Sequence, residues 1–181
     1  LVILPFIAAL IITFAGKSLP LKGAEIALGT IGIIFIYSLA LMYLHVTEGV
    51  ANEFFINVGN IGQFDIEFGW VVVCLSIMMY FVVGLVALLV FIYATNYMEG
   101  EIRYTFFFTS LTLFAGSMLV LVSSPTLIQI LIGWELVGVC SYLLIGHYWE
   151  VKDNSSAAMK AFITNKIADV GLMIGIIILA L

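Results

Sequence analysis

Three stretches of this chain, Ile31 to Leu44, Val71 to Tyr93 and Ile174 to Leu181, are apolar on every face. A helix needs about 20 such residues to cross a ~30 Å hydrocarbon layer. Strands of a closed barrel would instead alternate polar and apolar positions. With no water to satisfy exposed backbone groups inside a bilayer, helices are the reading that remains. Composition agrees: 64% of the 181 residues are hydrophobic and 9% are charged, more apolar surface than one soluble core of this length could bury. The expected fold is all-α, a polytopic transmembrane helix bundle with six spans near 1–16, 24–44, 70–97, 104–123, 126–148 and 157–181.

Charge assigns a topology to these spans. Lys17 and Lys22 follow span one, Arg103 follows span three and Lys152 follows span five, whereas the connection from His45 to Gly69 holds Glu48, Glu53, Asp65 and Glu67 with no base. Under the positive-inside rule the 45–69 connection is an outer loop and the N-terminus lies outside. Tyr43, Trp70, Tyr97, Tyr104, Tyr148 and Trp149 fall at span ends, where amphipathic rings suit the headgroup layer. Pro125 is expected in the first turn of span five, after a connection so short that spans four and five must be antiparallel neighbours. The chain starts at Leu1 with no basic segment or cleavage site, and reads as truncated at both ends. Cys74 and Cys140 fall within spans, as small apolar residues rather than a disulfide or metal framework. The net charge of −5 is scattered, which excludes a nucleic-acid surface.

Charge inside a span is costly, so intramembrane ionisable residues point to function. Four are expected here: Glu135, Lys160, Lys166 and Asp169. At ~1.5 Å per residue, Glu135 sits roughly 13 Å below the outer end of span five, and Asp169 roughly 18 Å from the inner end of span six. The two carboxyls therefore share a depth near the midplane. Lys166 precedes Asp169 by three residues, on the same helix face, where it can pair with Asp169 or reach across to Glu135. Burial favours a neutral acid and a neighbouring ammonium favours its anion, so a carboxyl between the two can change protonation when the lysine moves. The competing reading is an ion pair that fixes how spans five and six dock. Gly133, Gly138 and Ser141 leave room for water or for close helix approach. Lys160 lies one turn from the inner interface and can snorkel to the headgroups. His147 and His45 sit at span ends, where a solvated end residue is the simple reading; His147, titrating near neutral pH, and Lys160 are candidates for proton uptake. No dinucleotide fingerprint, phosphate loop, CxxC pair or nucleophile elbow occurs.

The segments NYMEGE (96–101), LFAGSMLVLV (113–122), IGWELVGVCSYLLIG (132–146) and KAFITNKIADVG (160–171) follow in an order and spacing that carries a family resemblance. Together they resemble the largest antiporter-like subunit of respiratory complex I, NADH:quinone oxidoreductase, called subunit 5 in mitochondria and subunit L in bacteria. The diagnostic part is residues 93–175. The resemblance implies an inverted-repeat, antiporter-like fold, with 1–103 as a leading three-helix region and 104–181 as the first helices of the proton-channel domain. It implies that Glu135 is a proton-channel residue and that Asp169 closes the span-six motif. The family's usual NRVGD reads NKIAD here, so Lys166 keeps the positive charge of an arginine without its bidentate geometry.

It further implies no cofactor or metal in this chain, with FMN, iron–sulfur clusters and quinone in partner subunits, and other membrane and peripheral subunits of complex I as partners. The GHYWE ending of span five (146–150) and the acidic outer loop favour a bacterial plasma membrane over the mitochondrial inner membrane. The expected function is proton translocation coupled to quinone reduction. The alternatives are the large subunit of a multisubunit cation/proton antiporter, coupled to sodium, and a structural membrane scaffold with an inert channel.

Overall fold

A computed structural model describes residues 1–49, 52–61 and 64–180. Among the described residues there are six α-helices: α1 (Leu4–Ala15), α2 (Ala24–Glu48), α3 (Cys74–Tyr97), α4 (Tyr104–Val122), α5 (Leu127–Ile145) and α6 (Lys152–Ala180). Five of them are long and apolar enough to cross a bilayer. α1 has 12 residues, about 18 Å at 1.5 Å per residue, and so falls short of the hydrocarbon thickness expected of span one. The described part of span six reaches residue 180, and its expected end at Leu181 lies outside the described residues, as do residues 50, 51, 62 and 63 of the connection between spans two and three.

That connection is the largest departure from expectation. In place of an acidic loop, β1 (Asn52–Ile61) and β2 (Phe64–Val72) pair as an antiparallel hairpin, with a bulge between Asn57 and Gly59. The sequence held the signal: Phe64, Ile66, Phe68, Trp70 and Val72 alternate with Asp65, Glu67, Gly69 and Val71, the period of a strand. Because β2 runs to Val72, α3 starts at Cys74 and not at residue 70. α2 likewise continues to Glu48, where Gly49 adopts φ 64° and returns its N–H to the His45 carbonyl, a left-handed cap that suits glycine.

Two side chains at the start of α5, Gln129 and Thr126, hold the hairpin. The amide of buried Gln129 accepts from the Gly69 N–H and donates to the Gly69 carbonyl, both at 2.9 Å. It thus completes the strand's hydrogen bonding as a neighbouring strand would. Thr126 Oγ1 donates to the Glu67 carbonyl at 3.2 Å and accepts from the Gln129 N–H at 3.3 Å, which makes it the N-cap of α5. Pro125 therefore precedes the cap, outside the first turn in which it was expected.

Packing builds outward from α4. Its buried positions include the consecutive run Phe108, Thr109, Ser110, Leu111 and Thr112, which passes right round the helix, whereas α6 is the least buried of the long apolar helices. α1 lays the face Pro5, Ala8, Ala9 and Ile12, spaced i, i+3, i+4, i+7, toward α2 and α4. A Cβ at Gly116 would lie 3.1 Å from both Pro5 and Phe6. α3 buries Ile77, Tyr80, Gly84, Phe91 and Ala94 at three-, four- and seven-residue steps, and Phe81 packs on Phe35 of α2. The core lies among α1–α4, with α5 on a further side of α4 and α6 on α5.

Where α4 meets α5 the backbones nearly touch, since a Cβ at Gly133 would lie 2.9 Å from Leu121 Cα and 3.0 Å from its nitrogen. Gly133 thus serves close helix approach rather than a water space. Cys140 is buried in the same seam, 3.9 Å from Ser117 Oγ, whereas Cys74 is exposed. At one end of the bundle, Thr105 Oγ1 donates to the Lys22 carbonyl and Arg103 donates to both oxygens of Glu150 at 2.7 and 2.6 Å. This pairing holds the Glu150 carboxyl below its usual range. The hairpin and the 123–126 connection lie at the other end, where Val71 N–H bonds the Ser123 carbonyl at 3.0 Å. The basic and base-poor connections therefore gather at opposite ends.

Two outcomes test this packing. Gly133→Ala should lower stability by about 1–3 kcal/mol through overpacking, whereas Gly175→Ala, with open space around it, should be neutral or raise stability by up to about 1 kcal/mol; thermal unfolding in detergent reads both. Gln129→Leu leaves the buried Gly69 peptide unpaired, at about 1–3 kcal/mol per group, and hydrogen exchange should show the hairpin losing protection while the helices keep theirs.

Candidate functional site: a charge cluster between α5 and α6

α5 and α6 pack antiparallel in a four-residue register. Trp134 meets Asp169, Gly138 faces Asn165, Tyr142 stacks near Phe162 with ring centroids 5.3 Å apart, and Gly146 faces Ala158. Each step is about one helical turn, so the contact rows of the two helices stay aligned along the seam. The glycines let the helices approach. A Cβ at Gly138 would stand 3.8 Å from the Asn165 amide, and one at Gly146 would stand 3.4 Å from Ala158 Cβ.

This register brings Glu135, Lys166 and Asp169 together. The Lys166 ammonium forms an ion pair with Glu135 Oε2 and donates to Asp169 Oδ2 at 3.3 Å. Both pairings that the spacing allowed are thus present at once. Asp169 is buried, with a side chain 5% exposed, while Glu135 and Lys166 are each about one-third open, at 32% and 34%. The other carboxylate oxygen, Asp169 Oδ1, accepts from the Trp134 indole N–H at 2.9 Å. Lys166 also sits 5.2 Å from the Phe162 ring centre, within cation–π range. The lysine is therefore a cation shared by two acids, one buried and one facing the open side of the helix pair.

The remaining candidates lie apart from the cluster. Lys160 is exposed and makes no ion pair among the described residues; six residues before Lys166, it stands about 9 Å away along α6. His147 lies in the 3₁₀ turn Gly146–Tyr148 that ends α5, twelve residues or about 18 Å from Glu135 along the helix axis. Against the expectation of a solvated end residue, its imidazole is 5% exposed, packed against Phe107 and Tyr148 at centroid distances of 5.4 and 4.8 Å. Aromatic side chains crowd this corner because the first turn of α4, which starts at Tyr104, brings Phe106 and Phe107 against the imidazole. Ser141 returns its hydroxyl to the Val137 carbonyl within α5.

Sequence reasoning missed Trp134 as a partner of the cluster. Its signal was position: a tryptophan far from both span ends has no headgroup layer for its N–H and needs an internal acceptor. Gln129 was missed for a similar reason, since a single amide inside a span has to satisfy both its donor and its acceptor.

Residues 59–108 match a family model described as complex I NADH-ubiquinone oxidoreductase, chain 5 N-terminus, and residues 123–181 match one described as the NADH:quinone oxidoreductase/Mrp antiporter membrane region. The chain is 37% identical over 182 aligned positions to NAD(P)H-quinone oxidoreductase subunit 5 of the Paulinella chromatophora chromatophore, covering 97% of this chain and 27% of that one. It is 42% identical over 154 positions to chain 5 of Synechocystis, covering 85% and 23%. The fold also resembles a chain of an archaeal respiratory membrane complex, the membrane-bound sulfane sulfur reductase, with a TM-score of 0.79 at 12% identity over 96% of this chain and 35% of that one. The chain spans about a quarter of the length of these curated relatives. With both family models in chain order and this identity along nearly its whole length, the chain is a multi-span membrane protein that belongs to the chain 5 family of NAD(P)H-quinone oxidoreductases.

Proposed function

We propose that this chain works as part of a membrane subunit of NADH:quinone oxidoreductase that translocates protons coupled to quinone reduction. Glu135, Lys166 and Asp169 are the groups that carry the proton. The observation that supports this reading is a single ammonium held between two carboxylates of unequal burial. When the ammonium leans on Glu135 it balances that anion; when it leans on Asp169, Glu135 is left to take up a proton from the open side of the helix pair. One ammonium within reach of two carboxylates is an element whose balance a changed field elsewhere in the complex can bias. Electrons need not enter this chain: FMN, iron–sulfur clusters and quinone belong to partner subunits in this reading, and those subunits are its partners.

Within the reading, residues 1–103 form the leading region and 104–181 open the proton-channel domain. The N-terminus lies on the outer face of a bacterial plasma membrane, supported by the segregation of Lys22, Arg103 and Lys152 from the acidic hairpin. His147 and Lys160 are the candidate groups for proton uptake on the inner side. The second reading, the large subunit of a multisubunit cation/proton antiporter, draws on the shared description of the model over residues 123–181; sodium-dependent flux without NADH would favour it.

Proton pumping per NADH in inverted membrane vesicles tests the reading on the intact protein in its complex. Glu135→Gln should lower the proton yield, or reduce pumping and NADH oxidation together where the two are tightly coupled; unchanged values of both would reduce Glu135 to a packing residue. His147→Phe, which keeps the aromatic packing, should slow pumping if uptake passes through the imidazole, and normal pumping would remove His147 from the path.

A further inference from the structure

One hydrogen bond of the cluster has no part in the proton transfer just described. Trp134 neighbours Glu135 on α5, yet its indole reaches Asp169 on α6 and donates to Oδ1 at 2.9 Å. The opposite oxygen, Oδ2, faces Lys166 at 3.3 Å. The two helix segments 134–135 and 166–169 are thereby closed into a ring: indole to Asp169, Asp169 to Lys166, Lys166 to Glu135, and back along the α5 backbone. We propose that Trp134 is a positioning residue, whose N–H fixes the rotation of the Asp169 carboxyl and directs proton exchange there to Oδ2.

The chemistry of the indole carries the argument. An indole nitrogen donates and never accepts, so an oxygen held by it is a poor place for a proton. The terminal torsion of an aspartate is broad and nearly two-fold, so packing by itself would leave the two oxygens interchangeable. Trp134 removes that degeneracy. A proton passing from Lys166 Nζ to Asp169 Oδ2 turns ammonium and carboxylate into amine and acid, with charge conserved and no other group consumed. The ring of Trp134 is half exposed, so packing within this chain gives little reason for so large a side chain. Its N–H, in contrast, has a buried charged acceptor, the kind of hydrogen bond that contributes most.

The inference rests on the proposed proton role of the cluster, and its test is separable from that role. In the intact complex, Trp134→Phe keeps an aromatic ring and removes the donor. Infrared difference spectra, with the Asp169 band identified by its loss in Asp169→Asn, should show that band shifted in Trp134→Phe; an unmoved band overturns the proposal. Proton yield per NADH should fall in Trp134→Phe, and the double variant Trp134→Phe/Asp169→Asn should fall no further than Asp169→Asn, because the indole acts through that carboxyl. Additive losses would mean a packing role and sink the idea. A variant that fails to assemble is bypassed by the wild-type tryptophan: the indole Raman band that reports N–H hydrogen bonding should change in Asp169→Asn, and its constancy overturns the proposal. If Glu135→Gln pumps normally while the Asp169 band still shifts in Trp134→Phe, the proton role fails and the positioning contact stands.

Discussion

The Lys166 ammonium, set between Glu135 and Asp169, is the interaction on which the α5–α6 seam depends. A cation at the depth of a hydrocarbon layer persists only with a partner or with water. Here it has two anions, one from each helix of the seam. Breaking either contact leaves a charge uncompensated in a poorly solvated place, far more costly than an equivalent surface change. That requirement fixes the level at which α5 and α6 meet. The register of Trp134 on Asp169, Gly138 on Asn165 and Gly146 on Ala158 follows from the same alignment.

The rest of the fold presents that seam. α4 is the buried scaffold, pressed on one side by α1 and on another by α5 through Gly133. Because Gly133 lies two residues before Glu135, the close α4–α5 approach also fixes the height and rotation of the carboxylate. At the start of the same helix, nine and six residues before Glu135, Thr126 and Gln129 tie α5 to the β-hairpin. α5 is thus held at its N-terminal end by the hairpin, along its length by α4 and at its C-terminal end by the aromatic corner around His147. α6 is the least buried of the long apolar helices. Its attachment comes mainly from the row of contacts that includes the charge cluster, so docking and protonation in this part of the molecule are physically linked.

The two readings offered by spacing, an ion pair that docks helices and a pair that exchanges protons, are compatible in this geometry. Docking needs the lysine to touch some carboxylate, whereas exchange needs it to have a choice of two. The unequal exposure of Glu135 and Asp169 is the asymmetry on which the proposed exchange rests.

Much of this was legible in the sequence. Uninterrupted apolar runs fixed the helices and their number, since a bilayer admits few alternatives. Lone charges within those runs singled out Glu135, Lys166 and Asp169, and helix rise brought the two acids to one depth. Boundaries were less legible: the strands from Asn52 to Val72 lay hidden because an acidic stretch between spans reads as a loop until its two-residue alternation is counted. What tertiary structure decided was which groups meet. Lys166 could pair along its own helix or across to the next, and only the packed register shows that it does both. The partners of Trp134, Gln129 and Gly133 were not legible locally, because the acceptor, the strand and the facing backbone lie 35, 60 and 12 residues away in the chain. Periodicity and cost are properties of a segment and can be read from it. Partnership between segments depends on helix rotation and height, which are set by packing over the whole bundle.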